Sequence, residues 1–193
     1  MPRPREFDPD LALERAMQTF WSQGYESTSL DDLCDAMALS RSSLYAAFGD
    51  KRALLLRALT RYTTKGTARF VAILADRPIR DALAMLFDEL IGQILADSEH
   101  RGCFIGNCTA ELARDDEAMA IVRGAMRRNE DHFRAALEAA QARGEIQPGV
   151  DATALARFLF TGLQGFRLLA KADPDRARLR DVARVMLTCL DVG

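Results

Sequence analysis

Apolar residues recur at spacings of three and four along almost the whole chain, the period of a helix rather than of a strand. Residues 10–22 carry Leu11, Ala12, Ala16, Phe20 and Trp21, and Gly24 supplies a stop. Thr28 then reads as an N-cap, with Asp31 and Asp32 in the first turn where the helix dipole favours acids. Leu30, Leu33, Cys34 and Met37 form the inner face of that short helix, and Leu39 is the apolar residue of the turn. Ser40 caps a second short helix with Leu44 and Phe48 inward, and Asp50 caps a long one from Lys51 to about Ala75. Asp76-Arg77-Pro78 breaks it, since proline ends helices. Ile79, Leu83, Leu86, Phe87, Leu90, Ile91 and Ile94 mark an amphipathic helix to about Asp97. Further helices are predicted over 104–113, 116–143, 151–170 and 175–190. The fold class is all-α.

Residues 28–51 are two short helices joined by a tight turn, a helix-turn-helix whose second helix would enter the major groove of double-stranded DNA. Arg41, Ser42, Ser43 and Tyr45 are left on or near its outer face. An arginine can fork onto guanine, serine hydroxyls serve base edges or phosphates, and a tyrosine can pack on a thymine methyl or bond a phosphate. Lys51 would meet the phosphate backbone. Helix pairs in enzymes share this periodicity, so pattern alone leaves DNA binding and plain helix packing both open.

Charge sharpens the picture only when divided along the chain. The formal net charge is -2. Residues 1–35 hold three basic and eight acidic side chains, whereas residues 36–65 hold six basic (Arg41, Lys51, Arg52, Arg57, Arg61, Lys65) and only Asp50 as an acid. A local basic footprint on the second short helix and the one after it is expected. Arg3 and Arg5 are candidates for an arm toward the DNA backbone, against the alternative of a frayed terminus.

Ala16, Phe20, Gly24-Tyr25, Thr28-Ser29, Ser40, Leu44-Tyr45, Phe48 and Lys51 carry a resemblance to the N-terminal domain of TetR/AcrR-type transcriptional regulators. About ten positions agree in order and spacing over roughly fifty residues, far more than a generic helix-turn-helix would give. The resemblance implies a three-helix DNA-binding domain over residues 1–60 and a larger helical effector-binding and dimerisation domain over 61–193. It implies a homodimer on a palindromic operator, most often a repressor released by a small-molecule effector. The DNA-binding set is then Thr28, Ser29, Ser40, Arg41, Ser42, Ser43, Tyr45 and Lys51.

The last two helices supply the expected dimer face, through Leu155, Leu159, Gly162 and Phe166 on one and Val182 and Met186 on the other. Two glycines in one apolar stripe, Gly162 and Gly165, point to close backbone approach or to space. The alternative is that both stripes are buried within one chain.

Gly102-Cys103, followed by Phe104, Asn107, Cys108 and Glu111-Leu112, is similar to the family branch that answers to reactive electrophiles and small unsaturated acids. Cys103 near a helix N-terminus is placed for a reactive thiol, helped by Arg101 and His100. A Cys103–Cys108 disulfide within one helix would be strained. The plainer reading makes both cysteines core residues. With Phe133 and Phe166, these residues are the candidate effector or sensing set; Trp21 and Tyr25 are expected between the first helix and the reading pair.

The rival class is a small helical thiol enzyme using Cys103 and Cys108 without DNA. No phosphate loop, nucleophile elbow, His-Glu-x-x-His or Cys-x-x-Cys supports catalysis or a metal site, and no cofactor is expected. No apolar run approaches the roughly eighteen residues of a membrane span, and the N-terminus lacks a signal-peptide core, so the expected compartment is the cytoplasm.

Overall fold

The computed structural model describes residues 7–75 and 77–191, so Arg3, Arg5 and Asp76 lie outside the described residues. Those described form nine α-helices and a closing 3-10 turn, with no strand among them. Helix α1 (Pro9–Gln23) starts on Asp8, whose carboxylate accepts from the amides of Asp10 and Leu11, and stops at Gly24, held at φ +86°. Helix α2 (Leu30–Met37) starts one residue later than the sequence suggests. Ser29, not Thr28, is its N-cap, in a reciprocal box with Asp32. Ala38 takes the left-handed conformation at φ 54° to turn the chain into α3 (Arg41–Phe48), which Ser40 caps. Asp50 caps the long α4 (Lys51–Leu74).

The remaining helices are α5 (Ile79–Ala96), α6 (Phe104–Glu111), α7 (Asp116–Ala142), α8 (Ala152–Ala172) and α9 (Arg176–Leu187), with the 3-10 turn at Thr188–Asp191. Aspartates 115, 151 and 175 cap α7, α8 and α9 through their side chains. These caps are local, and each satisfies amides that the first helical turn would leave without partners.

Packing yields two apolar cores. One gathers Ala16 and Phe20 of α1, Leu33 of α2, Leu44 and Phe48 of α3 and Leu54 to Leu59 of α4, and is completed by Phe104, Ile105 and Cys108 of α6 and Met119 and Val122 of α7. The other holds Phe70, Leu83, Phe87, Phe133, Leu159 and Phe166 together with Leu179 and Met186. Helices α4 and α7 contribute to both cores. The N-terminal helices therefore share their core with α6 and α7.

The stripes on α8 and α9 divide differently from the expectation. Leu155, Leu159, Phe166 and Met186 are buried within their own chain, because α7 packs along α8, α5 along α9, and α8 crosses α9. Gly162 explains itself there: a Cβ at this position would fall against the tip of Met186, so the glycine lets that side chain lie on the α8 backbone. The outward apolar face is instead Phe158 (53 % exposed), Leu168 (70 %), Leu169 (57 %), Val182 and Val185 (59 %). Gly165 has open space beside it.

An ionic clasp ties α1 to α4. Glu14 accepts from Arg61 and Lys65, and Arg61 also reaches Asp10. Burial would push the Glu14 carboxyl up, but hydrogen bonds from Lys65, Arg61 and Gln18 outweigh it and hold the group at about 2, against 4.5 when unperturbed. A depressed native pKa stabilises the fold above the unfolded value and is lost as pH falls through the native one. Glu14→Gln should therefore lower stability by about 1–2 kcal/mol at neutral pH, a figure reduced for partial exposure. Urea unfolding at stepped pH should show that gap constant above about 5 and closing between 4.5 and about 2.

Candidate nucleic-acid interface and effector cavity

The reading helix α3 is seated by Leu44 and Phe48 and turns its other side outward. Tyr45 is 49 % exposed, Ser42 and Ala46 are exposed, and Ser43 is half-buried. Ser40 accepts from the Ser43 amide at 3.1 Å and exchanges hydrogen bonds with the hydroxyls of Ser42 and Ser43. Three serine hydroxyls thus cluster at the start of α3. Ser29 is occupied by its capping box.

Thr28 is not at the surface. Its side chain is buried and its hydroxyl donates to the Gly24 carbonyl, which locks the α1–α2 turn and removes the group from any groove contact.

The basic footprint is smaller than the residue count suggests. Arg41 forks onto Asp31 through Nε and Nη2 at 3.0 and 2.8 Å. Both partners are well exposed, so solvent screens the pair and it is readily surrendered to a base or phosphate. Arg52 is bound to Asp115 and Glu117, and Arg61 and Lys65 to Glu14. Arg57 donates to the Ala47 carbonyl and stacks on Phe48. Lys51 lies over the Tyr25 ring at 4.4 Å, with no ion pair among the described residues. The acids that neutralise α4 come from distant segments, which a count along the chain cannot reveal.

Two carboxylates at the α6–α7 joint help fasten this reading head to the body, beside Arg101, which bonds Gln18 of α1. Glu111, the last residue of α6, accepts from the amides of Tyr25 and Glu26 at 2.9 and 2.6 Å. Asp115, four residues on, accepts from Arg52 through two nitrogens at 2.8 and 2.9 Å. The Arg52 hydrogen bond holds the Asp115 carboxyl down at about 2. Glu111 is therefore a strut, and it does not line the cavity as an effector residue would.

A cavity of about 570 Å³ lies between α1, α4, α5, the 97–103 loop and α8. Phe70, Leu86, Leu90, Phe160 and Leu163 give it apolar walls, and Trp21, Tyr62, Gln164 and Arg167 a more polar side. Trp21 thus faces the body and not the reading pair, packing edge-on against Tyr62 at 5.1 Å. Tyr25 packs against Phe20.

Of the candidate sensing residues only Cys103 lines this cavity. Phe104 is buried edge-on to Tyr62, Phe133 packs on Phe70, and Phe166 on Phe87. Asn107 braces the loop, donating to the Arg101 carbonyl and accepting from Lys171. Cys108 is buried, and burial pushes its thiol up to about 12, which suppresses thiolate chemistry.

Cys103 is the N-cap residue of α6, and all four cysteines are free. Arg101, the expected neighbouring cation, is taken up by Asp97 and by stacking on Trp21. The cation beside Cys103 is Arg167, with Nη1 4.0 Å from Sγ. Sequence reasoning missed Arg167, although a lone charge on the inward-facing positions of α8, in step with Phe160 and Leu163, was the available sign.

A seated helix-turn-helix with an exposed second helix, fastened to a helical body that encloses a cavity, defines a DNA-binding regulator with an effector site. Comparison with known proteins agrees. Residues 12–58 match the family described as "Bacterial regulatory proteins, tetR family", and residues 80–186 match "Tetracyclin repressor-like, C-terminal domain". The chain is 34% identical to the HTH-type transcriptional repressor ComR of Escherichia coli, over 96% of this chain and 90% of ComR. It is 33% identical to the HTH-type regulator YezE of Bacillus subtilis, over 99% of this chain and all of YezE. It superposes with a TM-score of 0.84 on a cysteine-substituted form of the TetR family regulator CifR complexed with a 26-base-pair operator DNA. That match has 32% identity and covers 97% and 99% of the two chains. The chain belongs to the TetR family of transcriptional regulators, and no described helix is long and apolar enough to cross a membrane.

Thr28→Val should cost about 1–2 kcal/mol in urea unfolding, because the Gly24 carbonyl loses its donor. The same variant should leave the salt dependence of DNA binding unchanged. A changed salt slope with unchanged stability would return Thr28 to the DNA face.

Proposed function

We propose that this protein is a cytoplasmic, homodimeric repressor that leaves a palindromic operator when its cavity is occupied or Cys103 is modified. One observation carries the link between cavity and DNA. Helix α6 begins at Cys103, on the cavity wall, and ends at Glu111, on the reading head. Its eight residues span about 12 Å as one rigid element. A displacement at the cavity end moves the amides that Glu111 holds, and with them the angle of α3. In a dimer, two reading helices must match major grooves about one DNA turn apart, so a small rotation is sufficient to lose the operator. A coupling of about 1–3 kcal/mol changes operator affinity by roughly five- to 150-fold.

The operator complex of CifR supports DNA as the partner, and the named repressors among the relatives support repression. An enzyme using Cys103 and Cys108 has no support here: Cys108 is buried with a raised pKa, and the relatives are regulators. The DNA-facing set we propose is Ser40, Arg41, Ser42, Ser43, Tyr45 and Lys51. The outward apolar face of α8 and α9, with Phe158, Leu168 and Val185, is the proposed dimer contact, burying surface that a monomer would leave in water.

Fluorescence anisotropy on DNA from its own promoter region tests this. Tyr45→Ala should weaken binding about tenfold or more with the dimer intact, while Lys51→Ala should reduce the salt slope by about one. Loss of dimerisation in either variant would count against these roles. If a mild thiol-reactive electrophile releases the wild type, Cys103→Ser should resist release; release of both equally would assign the effect to another residue.

A further inference from the structure

Arg167 is a cation without a counter-ion in a place where that is costly. It stands on the cavity side of α8, and its Nε is shielded from solvent with no hydrogen-bond partner. Nη1 has only marginal contacts, 3.5 Å to the Tyr62 hydroxyl and 4.0 Å to Cys103 Sγ. Burial pushes the Tyr62 hydroxyl well above its usual range, so that partner stays neutral. Among the described residues no carboxylate lies within ion-pair distance of Arg167. The cavity's other cations are engaged: Lys65 with Glu14, Arg69 with Glu89, and Arg101 with Asp97. Lys171 is exposed and donates to Asn107. An arginine cannot escape burial by losing its proton, so an uncompensated guanidinium demands a partner.

A second orphan points the same way. The Trp21 indole N–H is buried without an acceptor, and Trp21 lines the same cavity. Tyr62 touches both side chains, meeting the indole ring edge-on and the guanidinium through its hydroxyl. Both orphans are donors only, so the missing group is an acceptor and, for Arg167, an anion. The opposite walls are apolar, with Phe70, Leu86, Leu90, Ile94, Phe160 and Leu163. A bare inorganic anion would leave those walls facing water, and a doubly charged phosphate would outnumber the one unpaired guanidinium on the wall, Arg167, whose Nε is shielded from solvent.

We propose that the cavity binds an amphipathic monocarboxylic acid, its carboxylate on Arg167 and its tail along the α5 and α8 walls. This deepens, and rests on, the reading of the cavity as the effector site. The open Nε edge of a guanidinium matches a carboxylate in geometry as well as charge. Carboxylate binding supplies the counter-ion that the fold withholds, and it does so beside Cys103, where α6 begins.

The chain's single tryptophan lines the cavity, so intrinsic fluorescence reads occupancy directly. Sodium octanoate titrated into the free protein should give a saturable change, with 1-octanol and sodium acetate each about tenfold weaker or more, since one lacks the charge and the other the tail. Arg167→Gln should weaken octanoate about tenfold or more while leaving octanol unchanged, and Arg167→Lys should recover part of the loss. Equal binding of octanoate and octanol overturns the proposal, as does full octanoate affinity in Arg167→Gln. Inert carboxylates, with slower iodoacetamide alkylation of Cys103 in Arg167→Gln, would also overturn it and assign Arg167 to the thiol. If the variants fail to fold by circular dichroism, the three ligands on the wild type still decide. Because this readout uses no DNA, octanoate binding without operator release would contradict the regulatory reading alone.

Discussion

The reading head is held in place by the joint between α6 and α7. There Glu111 takes the backbone amides of Tyr25 and Glu26, and Asp115 takes Nε and Nη2 of Arg52, whose Nη1 goes to Glu117. Each contact joins segments more than sixty residues apart. An exposed ion pair alone would be a weak fastening. Two charge-assisted contacts, backed by the burial of Phe104, Ile105 and Leu112 in the same core as Leu33 and Leu44, make α6 a structural part of the head. Whatever shifts α6 shifts the helix offered to DNA.

The same economy of charge shapes both ends of the molecule. On the head, acids of α1 and the α7 start occupy Arg52, Arg61 and Lys65 of α4, leaving Lys51 and Arg57 of α4 and the weakly paired Arg41 of α3 for an external anion. Non-specific attraction to DNA is then modest, and recognition falls to the exposed face of α3, where Tyr45 and the serine cluster stand. In the body, nearly every charge on the cavity wall is answered by a neighbour, which makes the bare Arg167 informative. Charges matched within the fold report stability; the unmatched ones report partners.

Much of the architecture was legible because helix boundaries are set by local chemistry. Ser40, Asp50 and Asp151 act as caps, and Gly24 as a stop, on the evidence of residues within one turn of each. The slip from Ser29 to Thr28 has the same origin: two adjacent residues can cap, and only the Asp32 carboxylate three positions after Ser29 decides between them. Periodicity also located the inner stripes of α8 and α9, but it does not say whether a stripe is covered by its own chain or by another. Leu159 and Met186 went to the first, and Phe158 and Val185 stayed outside. The site was less legible because it is assembled over long separations. The Glu111 strut, the proximity of Arg167 to Cys103 and the turn of Trp21 toward the body depend on tertiary packing that spacing along the chain does not encode.

The claim that the α6–α7 joint orients the reading head is tested most directly by removing both fastenings at once. An operator fragment selected from genomic DNA would be titrated with the wild type and with the Glu111→Ala, Arg52→Ala double variant. Circular dichroism and sedimentation would confirm an intact helical dimer. With the head free to pivot, operator affinity should fall by about tenfold or more, the cost of ordering it on binding. Unchanged affinity in a folded, dimeric double variant would contradict the account and leave the head positioned by its apolar contacts and by Arg101, which bonds Gln18 and stacks on Trp21.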